Sequence, residues 1–242
     1  MERPDPQDFE ASALGTKAYW DTVYDRENTN FKEIGDIGEV WFGEDSVERM
    51  VDWVVDHIDN KQTNVLDLGC GNGHLLLALA DEGFTQLTGI DYSPSAITLA
   101  ASVAKEHDLG STVIDYHTVD FLNDEGDEAW EIKKKKQESY QLVLDKGTFD
   151  AISLHPDQTS AKANGVDGPR EAYVSSVYHL MDKDNGFLLI TSCNWTMDEL
   201  IDHFKNFFQY SSHVKYPTFS FGGHTGSKIC TVAFKPLPTP LS

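Results

Sequence analysis

The sequence VLDLGCGNG, at residues 65–73, constrains the fold of this chain more than any other stretch. A short apolar run ends in an acidic residue and alternating glycines, which is typical of a β-strand entering a glycine-rich turn. Because glycine has no Cβ, Gly69, Gly71 and Gly73 can adopt positive φ and let a ligand lie against the backbone. A helix is predicted from His74 to Ala80, and its unpaired N–H groups would point toward the turn. The stretch therefore predicts a binding site for a polar or anionic ligand group.

Two kinds of nucleotide-like ligand are compatible with such a turn. The dinucleotide fingerprint G-x-G-x-x-G/A requires Gly or Ala at its sixth position, where this chain has His74. Asp67 precedes the glycines, and its carboxylate would repel a pyrophosphate but attract a cationic ammonium group. The pattern D-x-G-x-G-x-G therefore favours a nucleoside that carries an amino-acid part. Cys70, inside the pattern, is interpreted as a small filler rather than a nucleophile.

Acidic residues also end the next two predicted strands. Asp91 follows Gly69 by about 20 residues, and an acid at this offset can accept hydrogen bonds from ribose hydroxyls. Tyr92 beside it offers an aromatic face to the base of a nucleoside. Asp120 and Phe121 end the third strand, so that three strand ends would meet at one ligand. The alternatives are that Asp91 only caps the following helix and that Asp120 only opens a turn.

The glycine turn resembles motif I of the class I, seven-strand methyltransferases, whose cofactor is S-adenosylmethionine. This cofactor is a nucleoside with an amino-acid part, as the residues of the turn favour. The resemblance places the third strand end at the position that contacts the adenine amino group. It implies cofactor-binding residues at Asp67, Gly69, Cys70, Gly71, Gly73, Asp91, Tyr92, Asp120 and Phe121, and it implies no metal ion.

Predicted strands and helices alternate along the rest of the chain. Asp45 begins an amphipathic helix before the first strand, and Ser93 with Pro94 begins another after the second strand. This alternation predicts an α/β fold with a Rossmann-like, seven-stranded, mostly parallel sheet and helices on both faces. The last two strands are predicted at Val214 to Phe221 and Lys228 to Phe234, as a hairpin that ends in an antiparallel strand.

Three regions are predicted along the chain. Residues 1–44 are expected to form an N-terminal lead and lid segment, residues 45–235 the methyltransferase domain, and residues 236–242 an extended proline-containing tail. Residues 155–168 contain glycines and a proline without periodicity, and they are predicted to form a mobile loop.

The charge of the chain narrows its expected partners. The formal net charge is −21, and such a field repels a nucleic-acid backbone and speeds encounter with a basic macromolecule. A solvated acidic surface that serves solubility is the alternative. The run from Lys133 to Lys136 lies beside acidic residues and is interpreted as a solvated loop or helix end. We therefore expect a protein partner and no direct contact with nucleic acid.

The sequence offers no candidate for a membrane span. The longest apolar run, Leu75 to Ala80, is far shorter than the roughly 18 residues that a span requires. The first ten residues contain acidic residues and two prolines where a signal peptide has an apolar core. Cys70, Cys193 and Cys230 are too few and too scattered for a disulfide framework or a zinc site. We expect a soluble, intracellular monomer that does not contact membranes.

Four stretches together resemble a narrower family, the lysine methyltransferases that act on translation elongation factor 1-alpha. They are LGTKAYWDTVY, GDIGEVWFGE, VLDLGCGNG and DKGTFDAISL, and the likeness covers about residues 14–235. The resemblance implies a cytoplasmic enzyme that methylates a lysine of a folded, basic protein. A small-molecule methyltransferase and a non-catalytic cofactor-binding partner of the translation apparatus are the alternatives.

The substrate side of the site is predicted from one acid and three aromatic residues. Asp145 ends the fourth strand, and ligands of open α/β sheets bind outside the carboxyl ends of strands. Asp145 is expected to orient the substrate amine and to accept its proton through water. Trp41, Phe42 and Phe149 are expected to form an apolar channel that lowers the pKa of the amine. The alternative is that these rings only plug the core.

Overall fold

The chain is described here by a computed structural model. The described residues are 9–110, 112–123, 125–128, 130–131, 139–217, 219–221, 224–226 and 229–241. The lysine run from Lys133 to Lys136 and the first eight residues of the predicted lead lie outside the described residues.

Helices and strands alternate along the described part of the chain, as predicted. A short 3-10 helix precedes the first α-helix. The elements are, in order, the 3-10 helix (Ala13–Gly15), α1 (Lys17–Ile34), α2 (Glu44–His57), β1 (Asn64–Leu68), α3 (His74–Asp81), β2 (Gln86–Asp91), α4 (Pro94–Glu106), β3 (Val113–Asp120), β4 (Glu125–Gly126), β5 (Leu142–Lys146), α5 (Thr148–Ser153), α6 (Asp157–Asn164), α7 (Pro169–Leu180), β6 (Phe187–Ser192), α8 (Met197–Phe204), β7 (Phe208–Val214), β8 (Phe219–Phe221), β9 (His224–Gly226) and β10 (Cys230–Pro236).

One sheet forms the centre of the fold, with strand order β4-β3-β2-β1-β5-β6-β10-β7. The pairs β1–β2, β2–β3, β1–β5 and β5–β6 are parallel, whereas β10 is antiparallel to both β6 and β7. The predicted α/β fold with an antiparallel last strand is confirmed. The sheet has one strand more than predicted, because the two-residue β4 pairs with the end of β3. The strand order reverses between β1 and β5, where sheets of this kind bind ligands.

Alternate side chains of each strand pack on opposite faces of the sheet. Val65 and Leu87 belong to a core cluster with α2, α3 and α4. Leu66 and Ile90 belong to a second cluster with α5, α7 and α8. The two-residue period of a strand produces this division. Both faces are therefore covered by helices, as a mostly parallel sheet requires.

Two predicted segments were wrong, one in the position of a strand and one in its type of structure. The strand predicted at Val214 to Phe221 instead occupies Phe208–Val214. Most side chains of β7 are exposed because it lies at the edge of the sheet, so it lacks the apolar alternation that marks a half-buried strand. The segment predicted as a mobile loop contains α6, which buries only Ala161 and so shows no amphipathic pattern.

No helix in the described part of the chain is long and apolar enough to cross a membrane. Groups of three or more side chains able to hold a metal ion are likewise absent from the described residues.

Candidate active site

A cavity of about 270 Å³ lies at the carboxyl ends of the central parallel strands, beside the reversal of strand order. Its walls come from the loops after β1, β2, β3, β5 and β6, from α1 and from the loop that precedes α2. The lining residues are Leu14, Gly15, Trp20, Tyr24, Glu39, Trp41, Phe42, Gly69, Cys70, Gly71, Asn72, Ile90, Asp91, Tyr92, Val119, Asp120, Phe121, Leu122, Asn123, Lys146, Gly147, Thr148, Asp150, Ala151, Ile152, Leu154, His155, Cys193 and Asn194.

The glycine turn after β1 forms one wall of the cavity. Gly69 and Gly71 have φ values of 63° and 55°, in the left-handed region that favours glycine. A Cβ on Gly69 would lie 2.2 Å from Thr148 Oγ1, and one on Gly71 would lie 2.7 Å from Tyr24 Oη. Only glycine fits at either position. Gly69, Cys70 and Gly71 all line the cavity, so the backbone of the glycine turn borders it at the predicted position.

Gly73 has a packing role instead of a ligand contact. It does not line the cavity, and a Cβ at this position would lie 2.4 Å from Tyr116 Oη. The missing side chain lets the tyrosine of β3 lie close beneath the start of α3. The predicted contribution of Gly73 is therefore corrected from direct binding to support of the turn.

Asp91 ends β2 and lines the cavity with a buried carboxylate. Its Oδ2 accepts a hydrogen bond from Gly71 N at 3.2 Å, and its Oδ1 accepts one from Ser93 N at 2.9 Å. Burial raises the pKa of Asp91 to about 6, although the two N–H donors act in the opposite direction. Each carboxylate oxygen keeps a further lone pair for a ligand hydroxyl. Tyr92 lies beside it and also lines the cavity.

Asp120 and Phe121 line the cavity at the end of β3. The Asp120 carboxylate accepts hydrogen bonds from Asn123 N at 3.3 Å and from Asn123 Nδ2 at 2.8 Å. Asp120 therefore holds the turn after β3 in place and also borders the cavity. The ring of Phe121 packs edge-on against Tyr173, at 5.8 Å between centroids. Both residues lie where the sequence placed them.

Asp67 is buried beneath the cavity, and the half-buried Lys146 lies near enough to influence its ionisation. Asp67 is 3% exposed and does not line the cavity, whereas Lys146 does. Burial raises the pKa of Asp67, and Lys146 opposes this shift. Burial lowers the pKa of Lys146, and the carboxylates of Asp67, Asp145 and Glu44 oppose that shift. Lys146 Nζ donates a hydrogen bond to the carbonyl oxygen of Trp41 at 2.9 Å.

The loop from residue 35 to residue 43, called the lid loop below, borders the cavity with two adjacent rings. Trp41 and Phe42 both line the cavity, and Trp41 packs edge-on against Trp20 at 5.1 Å. Phe42 has a φ of 65°, which is uncommon for a residue with a side chain. A Cβ on Gly147 would lie 3.0 Å from the Phe42 ring. The structure thus brings both predicted lid rings to the site.

Asp145 and Phe149 lie in the core, and their predicted roles are corrected. Phe149 is 0% exposed and packs against Tyr173 and Trp195 at 4.7 and 5.1 Å between ring centroids. The Asp145 carboxylate accepts hydrogen bonds from Thr148 N and Phe149 N at 2.9 Å and from Tyr173 Oη at 2.6 Å. Burial raises the pKa of Asp145 to about 7. Asp145 therefore anchors the start of α5, and Phe149 fills the core without forming a channel wall.

Asp150 is the acid of this motif that borders the cavity, and the sequence reasoning missed it. Its carboxylate accepts hydrogen bonds from Ser192 Oγ at 2.5 Å and from Cys193 N at 2.8 Å. Burial raises its pKa. These bonds fix the turn after β6, which brings Cys193 and Asn194 into the cavity wall. Asp150 stands five residues after Asp145 in the motif DKGTFD, and this second acid was the signal that could have identified it.

Residues of α1 also line the cavity, although no individual role in the site was predicted for them. Trp20 and Tyr24 contact the lid loop and the glycine turn respectively. Two rings at helical spacing were the available signal, but spacing alone does not distinguish a core face from a ligand-facing one.

The fold and the site together define a class I, S-adenosylmethionine-dependent methyltransferase. Residues 59–230 match the family described as methyltransferase domain. Two solved structures share the fold. Magnesium protoporphyrin IX methyltransferase from Synechocystis, with bound S-adenosylmethionine, has a TM-score of 0.61 at 16% identity and covers 98% of this chain and 99% of its own. N-methyltransferase NodS from Bradyrhizobium japonicum has a TM-score of 0.59 at 14% identity and covers 89% and 98%.

Relatives of higher identity narrow the class. Mouse EEF1A lysine methyltransferase 2 is 42% identical over 97% of this chain and 88% of its own length. Protein-lysine N-methyltransferase efm4 of Schizosaccharomyces pombe is 43% identical over 93% and 94%, and EFM4 of Saccharomyces cerevisiae is 39% identical over 94% and 96%. The chain belongs to this family of protein-lysine methyltransferases.

The cofactor expected from the sequence, S-adenosylmethionine, is confirmed by membership of the methyltransferase family. The cavity fits it in three respects. The glycine turn exposes backbone, Asp91 offers buried carboxylate lone pairs to hydroxyl groups, and Tyr92 and Phe121 offer ring faces.

Proposed function

We propose that this enzyme transfers methyl groups from S-adenosylmethionine to a lysine of translation elongation factor 1-alpha. The observation that carries the proposal is the likeness, at 39% to 43% identity over nearly the whole chain, to proteins named for this activity or for protein-lysine methylation. The formal net charge of −21 supports a basic protein as the partner, because opposite charge speeds encounter.

The cofactor half of the cavity binds and orients by hydrogen bonds and ring contacts. Asp91 accepts hydrogen bonds from the ribose hydroxyls, and Asp120 accepts one from the adenine amino group. Tyr92 and Phe121 provide the faces against which the adenine packs. When bound, S-adenosylmethionine supplies a methyl group on a positively charged sulfur.

The acceptor half must bring a lysine nitrogen to the site without its proton. With a free lysine pKa near 10.4, about one side chain in a thousand is neutral at pH 7.4, equivalent to about 4 kcal/mol. Trp41 and Phe42 line the cavity and exclude water from the lysine side chain. Burial among apolar rings lowers the pKa of an amine, against the opposite effect of the carboxylates that line the same cavity. Asp145 has no direct contact with the amine in this proposal, because it is fully buried, does not line the cavity and is held by three protein donors.

We further propose that the enzyme acts as a cytoplasmic monomer that contacts neither nucleic acid nor membranes. The cysteines Cys70, Cys193 and Cys230 are free thiols, which suits a reducing compartment. The negative net charge opposes binding to nucleic-acid phosphates and to anionic lipid surfaces.

Methyl transfer to purified elongation factor 1-alpha tests the proposal. The enzyme is incubated with methyl-labelled cofactor and the factor, and mass spectrometry then locates methyllysine. The Gly71→Ala variant is the control, since its Cβ would meet Tyr24 Oη and disturb the cofactor wall. Labelling of a small molecule alone in a cell lysate would support a small-molecule methyltransferase. Cofactor binding without any transfer would support a non-catalytic partner of the translation apparatus.

A further inference from the structure

The charges that line the cavity are unbalanced. Lys146 is the only lysine or arginine among the cavity-lining residues that the structure describes, whereas four carboxylates line the same cavity: Glu39, Asp91, Asp120 and Asp150. S-adenosylmethionine carries a carboxylate on its methionine part. In a partly buried, acidic site, a ligand carboxylate is stable only beside a positive charge or several N–H donors.

Four backbone N–H groups of the glycine turn and of the start of α3 already donate hydrogen bonds within the protein. Cys70 N donates to Ile90 O at 2.9 Å, and Gly73 N donates to Cys70 O at 2.8 Å. Gly71 N donates to Asp91 Oδ2 at 3.2 Å. The first N–H of α3, at His74, donates to Asn72 Oδ1 at 3.2 Å. These N–H groups are therefore not free to bind a ligand carboxylate.

Lys146 lies at the end of the cavity that the glycine turn borders. It ends β5, which pairs in parallel with β1, so that Leu68 is opposite Asp145 and the glycine turn begins beside Lys146. An ammonium group has three N–H donors. Trp41 O accepts one of them, and this is the one hydrogen bond recorded for Lys146 Nζ among the described residues. Further donors are thus left for a ligand.

We propose that Lys146 binds the carboxylate of the methionine part of S-adenosylmethionine, with its Nζ oriented by the carbonyl of Trp41. Asp67 lies beneath the cavity in β1 and does not line it, so Lys146 is the charged group that the cavity offers to the amino-acid part of the cofactor. The inference concerns the cofactor and does not depend on which protein receives the methyl group.

Calorimetric binding of two ligands isolates the carboxylate. S-adenosylhomocysteine has the amino-acid part and an uncharged sulfur, and its decarboxylated analogue differs only in lacking the carboxylate. The wild-type protein should prefer S-adenosylhomocysteine by at least about tenfold, which is about 1.4 kcal/mol at 25 °C. Lys146→Met should lose most of this preference while binding the analogue with nearly wild-type affinity. Lys146→Arg keeps the positive charge and should retain a preference.

Lys61→Met is the matched control. Lys61 lies before the start of β1, 4.0 Å from the Phe84 ring and outside the cavity, so this variant should keep the wild-type preference.

An equal preference in the wild type and in Lys146→Met would overturn the assignment. If Lys146→Met binds neither ligand, Lys146→Arg decides: a preference near the wild-type value supports the assignment, and no preference overturns it. A wild-type protein that binds neither ligand would instead contradict the cofactor itself, which separates this inference from the proposed function.

Discussion

Replacing Asp91 by asparagine tests the cofactor site through both affinity and pH. The carboxylate accepts hydrogen bonds from Gly71 N and Ser93 N, and it lines the cavity. Asparagine keeps the shape and one acceptor oxygen but has no charge. Because hydrogen bonds to a charged group contribute about 1.5–3 kcal/mol, the affinity for S-adenosylhomocysteine should fall about 10- to 100-fold.

The pH dependence of cofactor affinity gives a second, independent test of Asp91. With a pKa of about 6, Asp91 is about nine-tenths ionised at pH 7 and about one-tenth ionised at pH 5. If the ionised form accepts the ribose hydroxyls, wild-type affinity should fall about tenfold between these pH values. The asparagine variant lacks this titration, so its affinity should change less. Asp145 is present in both proteins, and Asp91 is not among the groups that shift its pKa, so its titration contributes to both slopes.

Calorimetry with S-adenosylhomocysteine at pH 5, 6 and 7 measures both effects, and circular dichroism at each pH checks that the two proteins stay folded. The assignment of Asp91 is refuted if the variant binds as tightly as the wild type. The pH argument fails if the two proteins show the same slope of affinity against pH.

Three further changes separate core residues from site residues. Phe149→Ala should lower the free energy of unfolding by about 3–5 kcal/mol, because it removes a fully buried ring, as urea denaturation would show. Trp41→Ala should lower turnover and move the pH–rate profile to higher pH, because the substrate amine keeps a higher pKa, while calorimetry finds cofactor affinity little changed. Burial raises the pKa of Asp145 to about 7, so its contribution to stability is present below about pH 4 and lost as pH rises to about 7. Urea denaturation across this range should show a smaller fall in Asp145→Asn.

Matched variants decide how these results are interpreted. Trp41→Phe keeps an apolar ring in the lid loop, so it should retain more turnover than Trp41→Ala. A stable Trp41→Ala enzyme with wild-type turnover and pH dependence would remove this ring from the mechanism. Phe149→Leu keeps most of the apolar volume and should unfold with a smaller loss. If Phe149→Ala instead stayed stable and lost activity, Phe149 would belong to the substrate channel after all.

The cofactor half of the site could be predicted because its geometry is local. Gly69, Gly71 and Asp91 lie within one strand, turn, helix and strand unit, and glycine at positive φ with an acid at the next strand end fixes that unit. Parallel pairing then brings Asp120 to the same edge of the sheet. Short-range rules therefore predicted the fold and the meeting of these strand ends at one edge of the sheet, although Asp67 and Gly73 do not line the cavity there.

The acceptor half could not be assigned in the same way, because contacts distant in sequence decide which side chain faces the cavity. Asp145 and Asp150 stand in one short motif with the same chemistry. Tyr173 of α7 holds Asp145 in the core, whereas Ser192 at the end of β6 holds Asp150 beside the cavity. A pattern within the motif carries no information about either partner. The edge strand β7 was misplaced for a related reason, since its pairing with β10 leaves few buried positions to form a pattern.

The acidity of the chain and the chemistry of its site act over different distances. Exposed charges are screened over about 8 Å at physiological ionic strength, so the net charge of −21 acts mainly on the approach of a basic partner. Inside the cavity, burial strengthens each charge interaction and raises the cost of an unpaired charge. Lys146 beside Asp67 and the rings of Trp41 and Phe42 therefore set the local conditions for the cofactor and the substrate amine. An acidic surface can thus attract a lysine-bearing protein while an apolar entrance still favours the uncharged amine that methyl transfer requires.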